Sequence, residues 1–196
     1  SLLLDLYLPD EKGSDPLPVI IVIRGGDWRR GGKDGFGPMS AALAKRGLAA
    51  ACIEYRASGE DIFPAAVEDT KAAVRWLRAN GGRYRIARDA IGAIGGSAGA
   101  HLATYLGVTS AVAKLEGKGG NPNYSSAISA IAAFATPADL LAVSDVTSIQ
   151  DRLIMYFFGN PLVEFLGSDD RDLLQFASPI THVTEDAPAL LLIHSE

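Results

Sequence analysis

Gly95-Gly96-Ser97-Ala98-Gly99 sets a serine between two glycines at a G-x-S-x-G spacing. It directly follows the apolar run Ala90 to Gly95 and directly precedes the small-residue stretch Ala98 to Gly107, which reads as a helix. At such a strand-to-helix bend the chain must reverse tightly, and flanking glycines remove the side chains that would collide. The hydroxyl then stands clear of its surroundings. The helix starting behind it turns backbone N–H groups and a positive dipole end toward any negative charge that develops in front of it. The chemistry this suits is acyl transfer with Ser97 as nucleophile. A glycine turn that only permits close packing, or that cradles a phosphate, is the weaker reading. Neither G-x-x-x-x-G-K-[ST] nor G-x-G-x-x-G occurs in the chain.

A second segment, Arg24-Gly25-Gly26-Asp27-Trp28, follows the β-branched run Pro18 to Ile23. Its two glycines let the backbone approach a substrate. Its place after a buried strand is where a serine hydrolase built on a parallel sheet completes its oxyanion hole.

The elements that must position these two segments alternate between strand and helix, which predicts an α/β chain with a mostly parallel sheet and helices on both faces. Leu2 to Leu8, Pro18 to Ile23, Leu48 to Tyr55, Ala90 to Gly95, Ala127 to Phe134 and Ala189 to His194 read as strands. Met39 to Arg46 reads as a helix closed by Gly47. A longer helix runs from Pro64, with Ala66, Val67, Ala73, Val74 and Leu77 at helical spacing, and is expected to stop at Gly81-Gly82. Gly117 to Asn123 reads as a flexible surface loop. Val146, Ile149, Leu153 and Tyr156/Phe157 suggest an amphipathic helix, either part of a small cap insertion at about 137–178 or an ordinary helix packed on the sheet.

The 196 residues suffice for one domain spanning 1–196 and are too few for two ordinary ones. A net charge of -5 without a basic stretch argues against nucleic acid as a partner. No apolar run is long enough for a membrane span. The chain opens inside a strand-like run, so a leader could precede it. Cys52, in the apolar run Leu48 to Ile53, reads as a buried structural thiol. Three histidines and one cysteine are too scattered for a metal site, so neither metal nor cofactor is expected.

With both segments in view, the chain resembles hormone-sensitive-lipase-like and feruloyl-esterase-like (BD-FAE type) carboxylesterases of the α/β-hydrolase fold. Arg24 to Trp28 is similar to their H-G-G-x-W loop, and Gly95 to Ala103 to their G-G-S-A-G-G-H-L-A elbow. Leu4-Asp5-Leu6-Tyr7-Leu8-Pro9 and Ala177 to Val183 match them in order and setting, so the resemblance covers essentially the whole chain. It implies a carboxylesterase acting on a small-molecule ester through a covalent acyl-enzyme. Ser97 is the implied nucleophile, and the backbone amides of Gly26, Asp27 and Ala98 the implied oxyanion hole. Arg24 stands where the family has a histidine that holds the loop in shape; an arginine could reach the same carbonyls. Asp27 would contribute its main chain, with its carboxylate expected to point away.

In this fold the triad runs serine, acid, histidine. The resemblance places the acid about two residues past Glu196 and the histidine further on, so this chain is expected to lack both, along with the last strand and helix, and to be nearly inactive alone. His101 is directed along its own helix and reads as a packing or backbone-bonding residue. His182 and His194 read as structural, and Asp139 as the cap of a helix beginning at Leu140. The rival readings are a non-catalytic binding domain of the same fold, and an amidase or peptidase sharing Ser97.

Overall fold

Leu17-Pro18-Val19-Ile20-Ile21-Val22-Ile23 has no polar face, which suits a strand covered on both sides. The structure is a computed structural model describing residues 2–10, 13–145 and 159–195, and it places this run inside a six-stranded sheet of order β1-β3-β2-β4-β5-β6. The strands are β1 (Leu4–Tyr7), β2 (Leu17–Ile23), β3 (Ala49–Ile53), β4 (Ile86–Gly96), β5 (Ala130–Phe134) and β6 (Ala189–Ile193). β1 pairs antiparallel with β3, and every other pair is parallel. The carboxyl ends of β2, β4, β5 and β6 therefore share one edge.

Side chains alternate between the two faces with the period of the pleat. Val19, Ile21, Ile23, Ala51, Ile53, Ile91 and Ala93 join the main core, which α2 (Ala65–Tyr84) and α3 (Ala98–Val108) cover. Val22, Ala50 and Cys52 lie on the opposite face, where Met39 and Leu43 of α1 (Gly37–Ala44) pack on them with Phe36. Helices thus cover both faces, as the alternating pattern predicts. Cys52 is fully buried, and its thiol donates to the Lys33 carbonyl at 2.8 Å.

Two expectations need correction. The long helix does not stop at Gly81-Gly82; it runs on to Tyr84 and ends at Arg85, in left-handed conformation at φ 56°. A Cβ on Gly81 would lie 2.9 Å from the Ile86 carbonyl oxygen, so this glycine serves the close approach of β4 to the helix and not a stop. β4 starts earlier than the apolar run suggests, because Ile86 already pairs with Leu17 and a bulge absorbs the polar residues Arg88 and Asp89 before pairing resumes at Ile91. The glycine-rich stretch Gly117 to Asn123 is a largely exposed loop, as its composition predicts. Arg75 donates to the carbonyls of Gly119 and Gly120, and Glu116 accepts from both Lys71 (2.9 Å) and Arg75 (2.6 Å), which ties the loop to α2. The amphipathic helix expected through Val146, Ile149, Leu153 and Tyr156/Phe157 lies outside the described residues. Flanking it are α4 (Leu140–Ser144), capped by the Asp139 carboxylate on the amides of Leu141 and Ala142, and short helices at Pro161–Leu166 and Arg171–Phe176.

Candidate active site

β4 delivers Gly96 to the carboxyl edge of the sheet, and the chain turns into α3 at Ser97. That residue is exposed, with φ 53° and ψ −124°, a conformation that costs a non-glycine residue of order 1–3 kcal/mol. The motif glycines explain how the bend is accommodated. A Cβ on Gly95 would sit 2.3 Å from the Gly99 carbonyl oxygen, and one on Gly99 would sit 2.2 Å from that of Ile23 and 2.5 Å from that of Arg24. Only hydrogen fits at either place. Gly96, by contrast, would bring its Cβ no nearer than 4.0 Å to the Phe134 carbonyl. The tight spots are thus the two motif glycines and not the position between them. The Ser97 amide donates to Phe134 at 2.9 Å, and the Ser97 carbonyl accepts from His101 at 3.0 Å. Ala98, first in α3, has no acceptor four residues back within the helix for its own amide.

The loop after β2 comes up against this bend. A Cβ on Gly25 would meet the Gly96 carbonyl at 2.8 Å and the Ser97 Cβ at 3.5 Å, so the two segments are in van der Waals contact. Gly26, Asp27 and Trp28 follow with φ of 106°, 55° and 59°, three consecutive left-handed residues, two of which carry side chains. Such a run is unfavourable by roughly 1–2 kcal/mol per non-glycine residue and persists only where its surroundings hold it. The Gly26 carbonyl accepts from the amides of both Arg29 and Arg30 at 2.9 Å, and a Cβ on Gly26 would lie 2.2 Å from the Arg30 oxygen. In a trans peptide the N–H points opposite to the C=O of the same plane. With the Gly26 carbonyl turned into the loop, the Asp27 amide points out of it.

Trp28 is 5% exposed and fastens the loop from the other side. Its indole N–H donates to His101 Nδ1 at 3.3 Å, and its ring stacks on Phe165 with centroids 4.7 Å apart. His101 Nε2 lies 2.9 Å from the Ala177 carbonyl, which can only accept, so the proton sits on Nε2 and Nδ1 is left free to accept from Trp28. Complete burial holds His101 neutral, lowering its pKa to about 4 against a smaller opposing effect from the Ala177 carbonyl.

Residues 4–196 match the BD-FAE family. The chain belongs to this family of α/β-hydrolase carboxylesterases. Among curated proteins it is similar to Esterase LipQ of Mycobacterium tuberculosis, 31% identical over 198 residues that make up 99% of this chain and 45% of LipQ. Among solved structures it is similar to a bifunctional GH43-CE protein of Bacteroides eggerthii (TM-score 0.84, 31% identity, 96% of this chain and 28% of that one). Another is Thermogutta terrifontis esterase 2 phosphoramylated by tabun (TM-score 0.75, 28% identity, 97% of this chain and 65% of that one). The chain spans less than half the length of the first curated relatives it matches.

The remaining histidines of this BD-FAE chain lie away from the bend. His182 Nε2 bonds the Phe176 carbonyl at 2.7 Å and faces Tyr105, two turns along α3 from Ser97. His194 follows β6 on the carboxyl edge, two strands from β4 and about 10 Å across at the usual interstrand spacing. Ser97 has no hydrogen bond from its hydroxyl to a described residue. Among the described residues no group of three or more His, Cys, Asp or Glu could hold a metal, and no helix is long and apolar enough to cross a membrane. A groove of about 500 Å³ lies elsewhere, between β1 and α2, lined by Leu4, Leu6, Ala73, Trp76 and Tyr84. Two of the loop's supports, Tyr55 and Phe165, lie outside both motifs, and the bond from Trp28 to His101 joins one motif to the other only in the fold.

Proposed function

We propose that this chain carries the nucleophile and oxyanion hole of a serine carboxylic-ester hydrolase. Ser97 Oγ attacks the ester carbonyl carbon, and the amides of Ala98, Gly26 and Asp27 receive the oxyanion. The hydroxyl proton passes to the triad histidine of the whole protein and on to the departing alcohol, and water then releases the acyl group from Ser97. The observation that carries this reading is the contact of Gly25 with the Ser97 bend, which sets a strained loop of outward amides beside an exposed serine. A single hole donor is worth about 10²–10³ in rate. The acid and histidine are assigned to the whole protein and not to residues 1–196. Removing the base from the whole protein would lower turnover by about a million-fold, roughly 8 kcal/mol of barrier. The substrates fitting this proposal are esters with small or aromatic acyl groups, and Phe165 of Pro161–Leu166, stacked on Trp28, would belong to a small cap near the oxyanion loop.

The T. terrifontis neighbour is phosphoramylated by tabun, which supports an activated nucleophile on this fold. In the whole protein, a fluorophosphonate probe should label the wild type and leave Ser97→Ala unlabelled; labelling that survives the substitution removes Ser97 from the mechanism. Turnover of p-nitrophenyl esters but not anilides separates the esterase from an amidase or peptidase, and turnover of neither points to the binding domain.

A further inference from the structure

We infer that Arg24, with Tyr55 behind it, is the positioning residue that sets the direction of the oxyanion-hole amides; this rests on the esterase reading above. The guanidinium is 4% exposed and makes no ion pair with any described residue. Every hydrogen bond it donates goes to a backbone carbonyl. Nη1 donates to Gly25 at 3.4 Å and at shorter range to Arg30, while Nη2 donates to Tyr55 at 3.2 Å. The group lies 3.9 Å over the Tyr55 ring, and the Tyr55 hydroxyl in turn donates to the Arg24 carbonyl at 3.1 Å. Burying a cation with only carbonyls around it is costly, and its Nε is buried with no partner. An arrangement so unfavourable for stability alone persists where it holds something in place.

What it holds follows from peptide geometry. The Gly25 carbonyl and the Gly26 amide share one plane and point in opposite directions. Drawing that carbonyl inward toward Arg24 turns the Gly26 N–H outward, on the side where Gly25 meets Ser97. Gripping the Arg30 carbonyl fixes the far end of the turn, whose own amide holds the Gly26 carbonyl and so directs the Asp27 N–H. One fork thereby orients both loop donors. Lysine keeps the charge but has no planar fork to span two carbonyls at once.

The test compares Arg24→Lys, Arg24→Met and Tyr55→Phe in the whole protein, using kcat and KM for p-nitrophenyl acetate, the rate of fluorophosphonate labelling, and thermal unfolding. Arg24→Lys should lower kcat by at least about tenfold with KM within about twofold, and slow labelling by a similar factor, because both reactions load the same hole. Tyr55→Phe removes one hydroxyl from the support and should lower kcat several-fold; it decides the matter if neither Arg24 variant folds. Wild-type kcat and labelling rate in a folded Arg24→Lys, or in Tyr55→Phe where that variant decides, overturns the inference. A Ser97→Ala protein that still labels would overturn the esterase reading instead, so the two failures are told apart.

Discussion

Lowering the pH from 7 to 4 should weaken the fold by roughly 3 kcal/mol at one residue, His101. Its imidazole is completely buried, donates from Nε2 to Ala177, and accepts the Trp28 indole proton on Nδ1. Burial lowers its pKa to about 4, whereas in the unfolded chain it returns to its ordinary value of 6.5. Above pH 6.5 both states are neutral and the stability is fully present. Between 6.5 and about 4 the unfolded chain binds a proton that the folded chain refuses, so stability is lost as the pH falls, at about 1.4 kcal/mol per pH unit, and the loss is complete below about 4. The gap between the two values sets the total near 3 kcal/mol. Protonation would also turn Nδ1 into a donor facing the indole donor, so the loop carrying Gly26 and Asp27 loses a support as the fold weakens.

The assay is urea unfolding followed by tryptophan fluorescence at half-unit steps from pH 7 to 4, on the wild type and on His101→Gln, whose amide can donate and accept without titrating. Carboxylates such as Glu116, held low by Ser126 and Lys71, titrate in both proteins and cancel in the difference. The difference curve should be flat above 6.5 and fall by roughly 3 kcal/mol toward 4. Parallel curves across that window would refute both the buried neutral histidine and its bond to Trp28.

Gly99→Ala should destabilise by about 1–3 kcal/mol in urea titration, because its Cβ meets two backbone carbonyls that cannot step aside, while Gly96→Ala, with nothing nearer than 4.0 Å, should stay within about 0.5 kcal/mol of wild type. Lys71→Met removes a fully buried ammonium that donates to the Thr109 carbonyl, Glu116 and Ser126, and should cost about 2 kcal/mol by the same measurement. The cost stays moderate because Glu116 keeps Arg75 as a partner.

The parts of the fold legible in the sequence were those whose cause is local. A β-branched run such as Val19 to Ile23 can be satisfied only by a strand covered on both faces, and the bend at Ser97 is written into the glycines its backbone needs. Asp139 could be read as a cap because the donors it satisfies lie two and three residues away. Gly81-Gly82 misled because glycine answers two different demands. It can end a helix by adopting positive φ, or it can let another chain pass close, and only the position of Ile86 shows which applies. Gly117 to Asn123 could be read as a surface loop, but its ties to Lys71 and Arg75, more than forty positions earlier, could not.

The site divides along the same line. The residues proposed to touch the substrate, Ser97 and the amides of Gly26, Asp27 and Ala98, sit inside two short motifs because their geometry is made by the backbone within each. The groups that keep those motifs in shape are spread over the fold: Tyr55 after β3, His101 inside α3, and Phe165 in the segment near the carboxyl edge. A left-handed run such as Gly26-Asp27-Trp28 is not stable on its own terms, so its conformation has to be imposed from outside. Motif and support are therefore encoded differently. At Arg24, as at Trp28 and His101, the two meet: Arg24 is inside the motif by sequence and beneath the loop by structure. That is why the exchange of the family's histidine for arginine can be noticed from the sequence, while its consequence, one fork gripping both ends of the loop, follows only from the carbonyls it reaches.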